Sequence, residues 1–136
     1  MSRPDFSFTK LVVQDLEAMA RFYQDVYGLN AVGRVQEKIG GEAIDEIMLS
    51  AGSQVSPGSL VLLKFVDRRD TPRGEVILGF TTSDLPALLG RIEAAGGTVH
   101  DPIRELPALG LHVAFARDPE GHLAELVQMG SSSPAR

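Results

Sequence analysis

One segment of the chain is written twice. Phe8–Leu16 and Ile77–Leu85 each read as a β-strand running into a helix cap, 69 positions apart. The match continues without a gap: Ala18 stands opposite Ala87, Met19 opposite Leu88, Tyr23 opposite Ile92 and Gly28 opposite Gly97. A repeat of this kind is most simply two copies of one supersecondary module sharing a core. The 136 residues have room for one domain built from two such halves.

Each copy carries its own punctuation. Asp15 and Asp84 are carboxylates placed to accept orphan N–H groups at a helix start. In the first copy Leu16, Met19, Ala20, Tyr23 and Val26 follow at helical spacing and Gly28 closes the helix. In the second, Leu85, Leu88, Leu89, Ile92 and Ala95 form the stripe, Pro86 is tolerated in the first turn, and Gly96-Gly97 end it. Three β-rich runs follow each helix. In the first copy these are about residues 32–39, 42–49 and 60–66, with Gly40-Gly41 as a tight hairpin turn. In the second, Thr98-Val99 starts a short strand and 100–110, which contains Pro102 and Pro107, is expected to be mostly loop. Strands are expected at 111–116 and 123–127, joined by a type I turn at Asp118-Pro119-Glu120-Gly121. The expected fold class is therefore α+β: two βαβββ modules, residues 1–70 and 71–129, forming a curved mixed sheet around a concave cavity. Helices cover one face of it. The tail 130–136 is expected to be disordered.

Composition removes several chemistries. The chain has no cysteine, so thiolate nucleophiles, Cys-ligated zinc and iron–sulfur clusters are excluded, and an intracellular setting is favoured. A net charge of −5 with both signs mixed along the chain disfavours nucleic acid, whose binding needs a basic surface. No apolar run is long enough to span a membrane, and residues 1–5 lack the pattern of a secretory signal; the expected location is cytoplasmic. No phosphate-cradling glycine loop, serine-nucleophile elbow or paired-carboxylate motif appears.

Three motifs carry a resemblance: Asp15-Leu16-Glu17 through Phe22-Tyr23 to Gly28-Leu29; Asp84-Leu85 through Ile92-Glu93-Ala94-Ala95-Gly96-Gly97; and Phe115 to Leu126, with Asp118-Pro119-Glu120-Gly121-His122 and Glu125. Over nearly its whole length the chain resembles the vicinal oxygen chelate superfamily, the group of glyoxalase I, fosfomycin- and bleomycin-resistance proteins and extradiol dioxygenases. The resemblance implies a homodimer. It also implies that, in metal-dependent relatives, a divalent cation is held at the start of each module's first strand and on each module's last strand. Those positions are taken here as Phe8, Lys64, Ile77 and Glu125.

Of these four only Glu125 can ligate a metal. Phenylalanine and isoleucine have no lone pair to donate, and an ammonium repels a cation; no metal and no cofactor is expected. The three histidines do not rescue the site. His122 is an odd number of residues from Glu125 and should point to the opposite face; His112 could face inward beside Glu125; His100 belongs to an exposed loop.

Glu125 is the candidate catalytic residue, a general base or an anchor for a basic ligand group, with retention for structure as the plainer reading. Lys64, matched to Glu125 across the repeat, either closes the former metal site, offers an ammonium to an anionic or carbonyl ligand, or is an edge-strand lysine that blocks aggregation. Phe8 and Ile77 make the pocket apolar or belong to a collapsed core. His112 is a candidate hydrogen-bonding ligand residue or a satisfied structural one. Arg34, Glu37, Lys38 and Glu42 read as a solvated face, and Phe22 and Tyr23 as packing. The leading expectation is metal-independent binding of a small, partly apolar molecule, in the manner of a sequestration or resistance protein. The first alternative is a metal-independent lyase or isomerase of the glyoxalase type with Glu125 as base and Lys64 or His112 at the oxyanion. The second is an interaction protein that binds no ligand.

Overall fold

The structure, a computed structural model, describes residues 6, 8–39, 41–54, 56–70 and 76–129. The opening residues, Gly40, the centre of the inter-module linker and the tail lie outside them. The chain divides into two compact units, Met1–Pro72 and Arg73–Arg136. Each is a βαβββ module with its own four-stranded mixed sheet.

In the first module the elements are β1 (Phe8–Val12), α1 (Leu16–Tyr27), β2 (Asn30–Ile39), β3 (Glu42–Ser50) and β4 (Ser59–Phe65). The sheet order is β1-β4-β3-β2, with β1 parallel to β4 and the other pairs antiparallel. Asp15 caps α1, its carboxylate accepting from the Ala18 N–H at 3.0 Å. Gly28 ends the helix with φ 72°, a left-handed backbone that glycine adopts without steric cost. The α1 stripe Leu16, Met19, Ala20, Phe22, Tyr23 and Val26 is buried. The helix lies on β3 and β4, whose residues of one parity, Ile47, Leu49, Leu60 and Leu62, are buried with Leu11 and Val13 of the β1 segment. Each such leucine contributes about 1.5–3 kcal/mol by leaving water.

The second module repeats the plan with β5 (Ile77–Thr81), α2 (Leu85–Ala94), β6 (Thr98–Leu106), β7 (Leu111–Arg117) and β8 (Leu123–Met129), in the order β5-β8-β7-β6. Asp84 caps α2 through the Ala87 N–H at 3.1 Å. The stripe is thinner than the spacing suggests: Leu85, Leu88 and Ile92 are buried, while Leu89 is half-buried and Ala95, beyond the last turn, is exposed. The left-handed glycine here is Gly96, φ 94°, so Gly28 corresponds to Gly96 and not to Gly97. Gly97 answers a different need, since a Cβ there would sit 2.5 Å from the Arg117 carbonyl oxygen and 2.6 Å from Ile92 Cγ2.

The strand expected to start at Thr98-Val99 runs on through residues 100–106 of the span expected to be mostly loop, forming β6, and only 107–110 turn away from it. It tolerates Pro102 because it is an edge strand whose register on β7 shifts on both sides of Asp101; a residue without an N–H fits where the ladder is already interrupted. His100 is exposed, but on this strand. The expected turn at Asp118 forms: the Gly121 N–H donates to the Asp118 carbonyl at 2.9 Å. Its carboxylate accepts from the Glu120 and His122 N–H groups and lies 2.7 Å from His122 Nδ1. That commits His122 to holding the turn.

Candidate functional site

Side chains alternate across a strand, so the helix-covered face of each sheet defines the one that carries no helix, here called the open face although Val61, Leu63 and Val113 on it are buried. In the second module Ala124 and Leu126 are buried on the α2 side with Ala114 and Ala116 of β7. The open face therefore carries Leu123, Glu125 and Val127 of β8, with Phe115 of β7 and Gly79 of β5 flanking Glu125 in register. Val113, Ile77 and Thr81 complete the surroundings by the same alternation. Glu125 is half-buried, and it forms no hydrogen bond or ion pair with any described residue. Arg117 of this face donates instead to the Gly121 carbonyl at 2.8 Å.

The open face of the first module is built differently. It carries Phe8, Lys10 and Val12 of β1, Val61 and Leu63 of β4, and Glu46 and Met48 of β3. Lys10 Nζ reaches Glu46 Oε1 at 2.9 Å, and Glu46 is 9% exposed, so this carboxylate is paired where it is buried. Phe8 and Ile77, the first open-face residues of β1 and β5, are 49% and 55% exposed. They line open sheet edges and are not core.

Lys64 is on the other side. It shares parity with Leu60 and Leu62 on the α1 face, in a central strand and not at an edge. Its ammonium donates to the Gln14 carbonyl at 2.8 Å, just ahead of the α1 cap. Its counterpart in the second module is Gln128, whose side-chain oxygen accepts from the Leu85 N–H at the start of α2, at 2.6 Å. Both residues tie a strand–helix junction to the sheet. The true counterpart of Glu125 is Val61, since Lys10 pairs with Val61 as Gly79 pairs with Glu125. His112 is likewise helix-side, opposite Gln128, with a buried Nδ1 that has no partner among the described residues. It does not stand beside Glu125; Phe115 does.

Two surface depressions among the described residues are lined by none of Phe8, Lys64, Ile77, His112 and Glu125. One of 590 Å³ is lined by residues of the β2–β3 hairpin and Val66; another of 480 Å³ is lined by Thr81, Thr82, Ser83, Gln128 and Met129. The solvated face holds ion pairs. Arg34 makes a forked contact to Asp45 at 3.1 and 2.9 Å and a third to Glu17 at 2.7 Å. Arg68 binds Glu42 in the same forked way at 2.9 and 2.7 Å.

A family model described as Glyoxalase/Bleomycin resistance protein/Dioxygenase superfamily matches residues 6–126. The chain belongs to that superfamily. A protein of Vibrio parahaemolyticus named probable lactoylglutathione lyase is 27% identical over 138 residues, covering 98% of this chain and 96% of its own. A lactoylglutathione lyase of Arabidopsis thaliana is 28% identical over 121 residues, but only 42% of it is covered. Among solved structures, glyoxalase I from Zea mays superposes with a TM-score of 0.75 at 20% identity, over 90% of this chain and 45% of that one. A glyoxalase family protein from Bacillus cereus gives 0.80 at 16% identity, over 96% and 99%. These structural likenesses establish the fold. The chain spans just under half the length of the maize and Arabidopsis proteins.

The metal that the superfamily implies does not fit the residues present. With the register corrected, the four positions are Phe8, Val61, Ile77 and Glu125. Three have no donor atom, and one carboxylate cannot repay the dehydration of a divalent cation. Among the described residues no group of three or more His, Asp or Glu side chains comes together to replace them.

Proposed function

We propose that this superfamily member binds a small, partly apolar molecule carrying a basic group, without a metal, and acts by stoichiometric capture as a sequestration or resistance protein. The observation that carries the reading is Glu125, a half-buried carboxylate on an apolar sheet face with no partner among the described residues. A carboxylate on an apolar face gives up part of its hydration without a protein group to replace it, so a cationic ligand group is the partner that satisfies it. The homodimer implied by the resemblance belongs to the same proposal, and relatives of about twice this length support it: a second copy would supply what they hold in one chain. No described helix is long and apolar enough to cross a membrane; a cytoplasmic site of action is part of the proposal.

The names of the curated relatives favour a second reading, a metal-independent lyase or isomerase with Glu125 as general base. Its oxyanion partner would have to be neither Lys64 nor His112, both of which lie on the helix side of their sheets. Titration of a compound panel by calorimetry in the presence of EDTA separates the two. Capture predicts saturable binding that survives chelation, drops at least tenfold in Glu125→Gln, and consumes no compound. Turnover that persists in chelator and disappears in Glu125→Gln would establish the enzyme instead.

A further inference from the structure

Gly79 sits in the middle of β5, opposite Glu125, in a ladder that runs unbroken from Ile77–Leu123 to Thr81–Val127. A glycine inside a strand weakens it, because it gives up more backbone entropy than other residues and packs nothing in return. Such a glycine is ordinarily explained by a bulge, a left-handed backbone or a neighbour too close for a Cβ. The register of β5 on β8 does not shift. Gly79 is not among the glycines of positive φ. A Cβ built on it meets no described atom within 4 Å, whereas one on Gly97 would strike backbone. The missing side chain leaves open space beside a carboxylate that has no partner among the described residues.

The first module shows what this position holds when it is filled. Lys10 occupies it there. Its ammonium lies 5.8 Å from the Phe8 ring centroid and 2.9 Å from Glu46 Oε1. That open face carries its own cation, held by a carboxylate near an aromatic ring. The second module's open face has the carboxylate, Glu125, and an aromatic cross-strand neighbour, Phe115. Where the cation would be rooted it has no side chain.

Resting on the reading of Glu125 as the ligand anchor, we propose that Gly79 is the specificity-determining residue of that site. The space it leaves admits an organic cation, a protonated amine or amidine on an aromatic body. The charge pairs with Glu125 and the body lies along Phe115 and the vacant strip of β5. The size of residue 79 then sets the size of body accepted.

The test uses benzylammonium, 1-naphthylmethylammonium and neutral benzyl alcohol at low ionic strength. Affinities are read from the backbone amide shifts of residues 79, 115 and 125 in the full chain. The wild type is expected to bind both cations and to bind the alcohol about tenfold more weakly, as loss of a charge-assisted contact implies. Gly79→Leu should weaken the naphthyl probe roughly tenfold or more, by filling its space, and leave the benzyl probe within about threefold. Gly79→Lys should abolish both by supplying the cation internally. Gly79→Ala should melt at or above the wild-type temperature, because the native backbone is open to any residue.

If neither cation perturbs these amides in the wild type, the reading of Glu125 fails and this inference fails with it. If both bind, Glu125→Gln loses them and Gly79→Leu does not discriminate, the anchor stands and the role of Gly79 is refuted. A lowered melting temperature in Gly79→Ala refutes it as well, by making the glycine structural. So does a change of oligomeric state in Gly79→Leu on sedimentation, by giving the space to a second copy of the chain.

Discussion

Replacing Lys64 by methionine separates the role expected from the repeat from the role seen in the fold. On the helix side, the ammonium gives one charge-assisted hydrogen bond to the Gln14 carbonyl at 2.8 Å. Such a bond is worth about 1.5–3 kcal/mol when fully buried. Lys64 is only half-buried, so water competes for both partners, and about 1 kcal/mol is the reasoned loss. Methionine keeps the packing of the aliphatic stem, so little else should change. In a domain of this size 1 kcal/mol lowers the melting temperature by about 3 °C. Scanning calorimetry reads that shift directly. The affinity for a cation that binds at Glu125, measured on the same sample, should not move. Gln128→Leu, the matching change in the second module, should cost a similar amount by leaving the Leu85 N–H without its acceptor. An unchanged melting temperature in Lys64→Met together with a tenfold loss of ligand affinity would refute the helix-side assignment.

Gly97→Ala should be far more damaging than Gly79→Ala. Its Cβ would press on the Arg117 carbonyl and on Ile92, and overpacking of that kind costs about 1–3 kcal/mol or more in urea unfolding; a neutral result would mean that the α2–β7 approach is loose. Arg34→Gln should flatten the acid limb of the stability curve. The Arg34 guanidinium holds the Asp45 carboxyl below the usual carboxylate range, against the upward pull of its slight burial. The resulting stability is complete above the ordinary carboxylate value near pH 4 and is lost as pH falls through the lowered one. Carbon-detected titration of Asp45 should show its midpoint return to the ordinary range in the variant, and an unmoved midpoint would exclude Arg34 as the cause.

Both helices, seven of the eight strands and the start of the eighth, β6 at Thr98-Val99, are legible in the sequence, because each signal is local. Asp15 and Asp84 mark the caps, the apolar spacing marks the stripes, and Gly28 needs a backbone that few other residues adopt. The continuation of β6 past Val99 is not legible because two prolines argue against a strand, and what admits Pro102 is its place at a sheet edge, which is decided by other segments. The site was half legible. Glu125 lies on the face of its sheet away from the helix, whereas the match of Lys64 to Glu125 as equivalent last-strand positions is three residues out of register. The connections differ between copies. β3 and β4 are joined by residues 51–58, whereas β7 and β8 are joined by 118–122. Leu62 consequently corresponds to Leu126, and Lys64 to Gln128. Because alternate residues face opposite ways, an error of three positions puts a residue on the wrong side of the sheet. The same parity puts His112, paired with Gln128, on the helix side and not beside Glu125.

Where the two copies still agree and where they do not follows from what each face must do. The helix-side positions meet a helix of the same length class and capping scheme, so they repeat in kind: Leu62 with Leu126 in the core, Lys64 with Gln128 at the junction. The open-face positions have no such partner within the module, and there the copies part: Lys10 against Gly79, Val61 against Glu125, Glu46 against Val113. The difference is a redistribution of charge. The first module's open face closes its account internally, Lys10 with Glu46. The second has no side chain at the position of Lys10, keeps its Arg117 on the Gly121 carbonyl, and has its carboxylate on β8, beside a glycine that leaves it accessible. A half-buried carboxylate without a partner is a cost to stability unless something outside the module satisfies it. On the open face of the second module Arg117 is turned to the Gly121 carbonyl, so a positive group that reaches Glu125 is what the described residues do not supply, and that is the group the proposed ligand would bring.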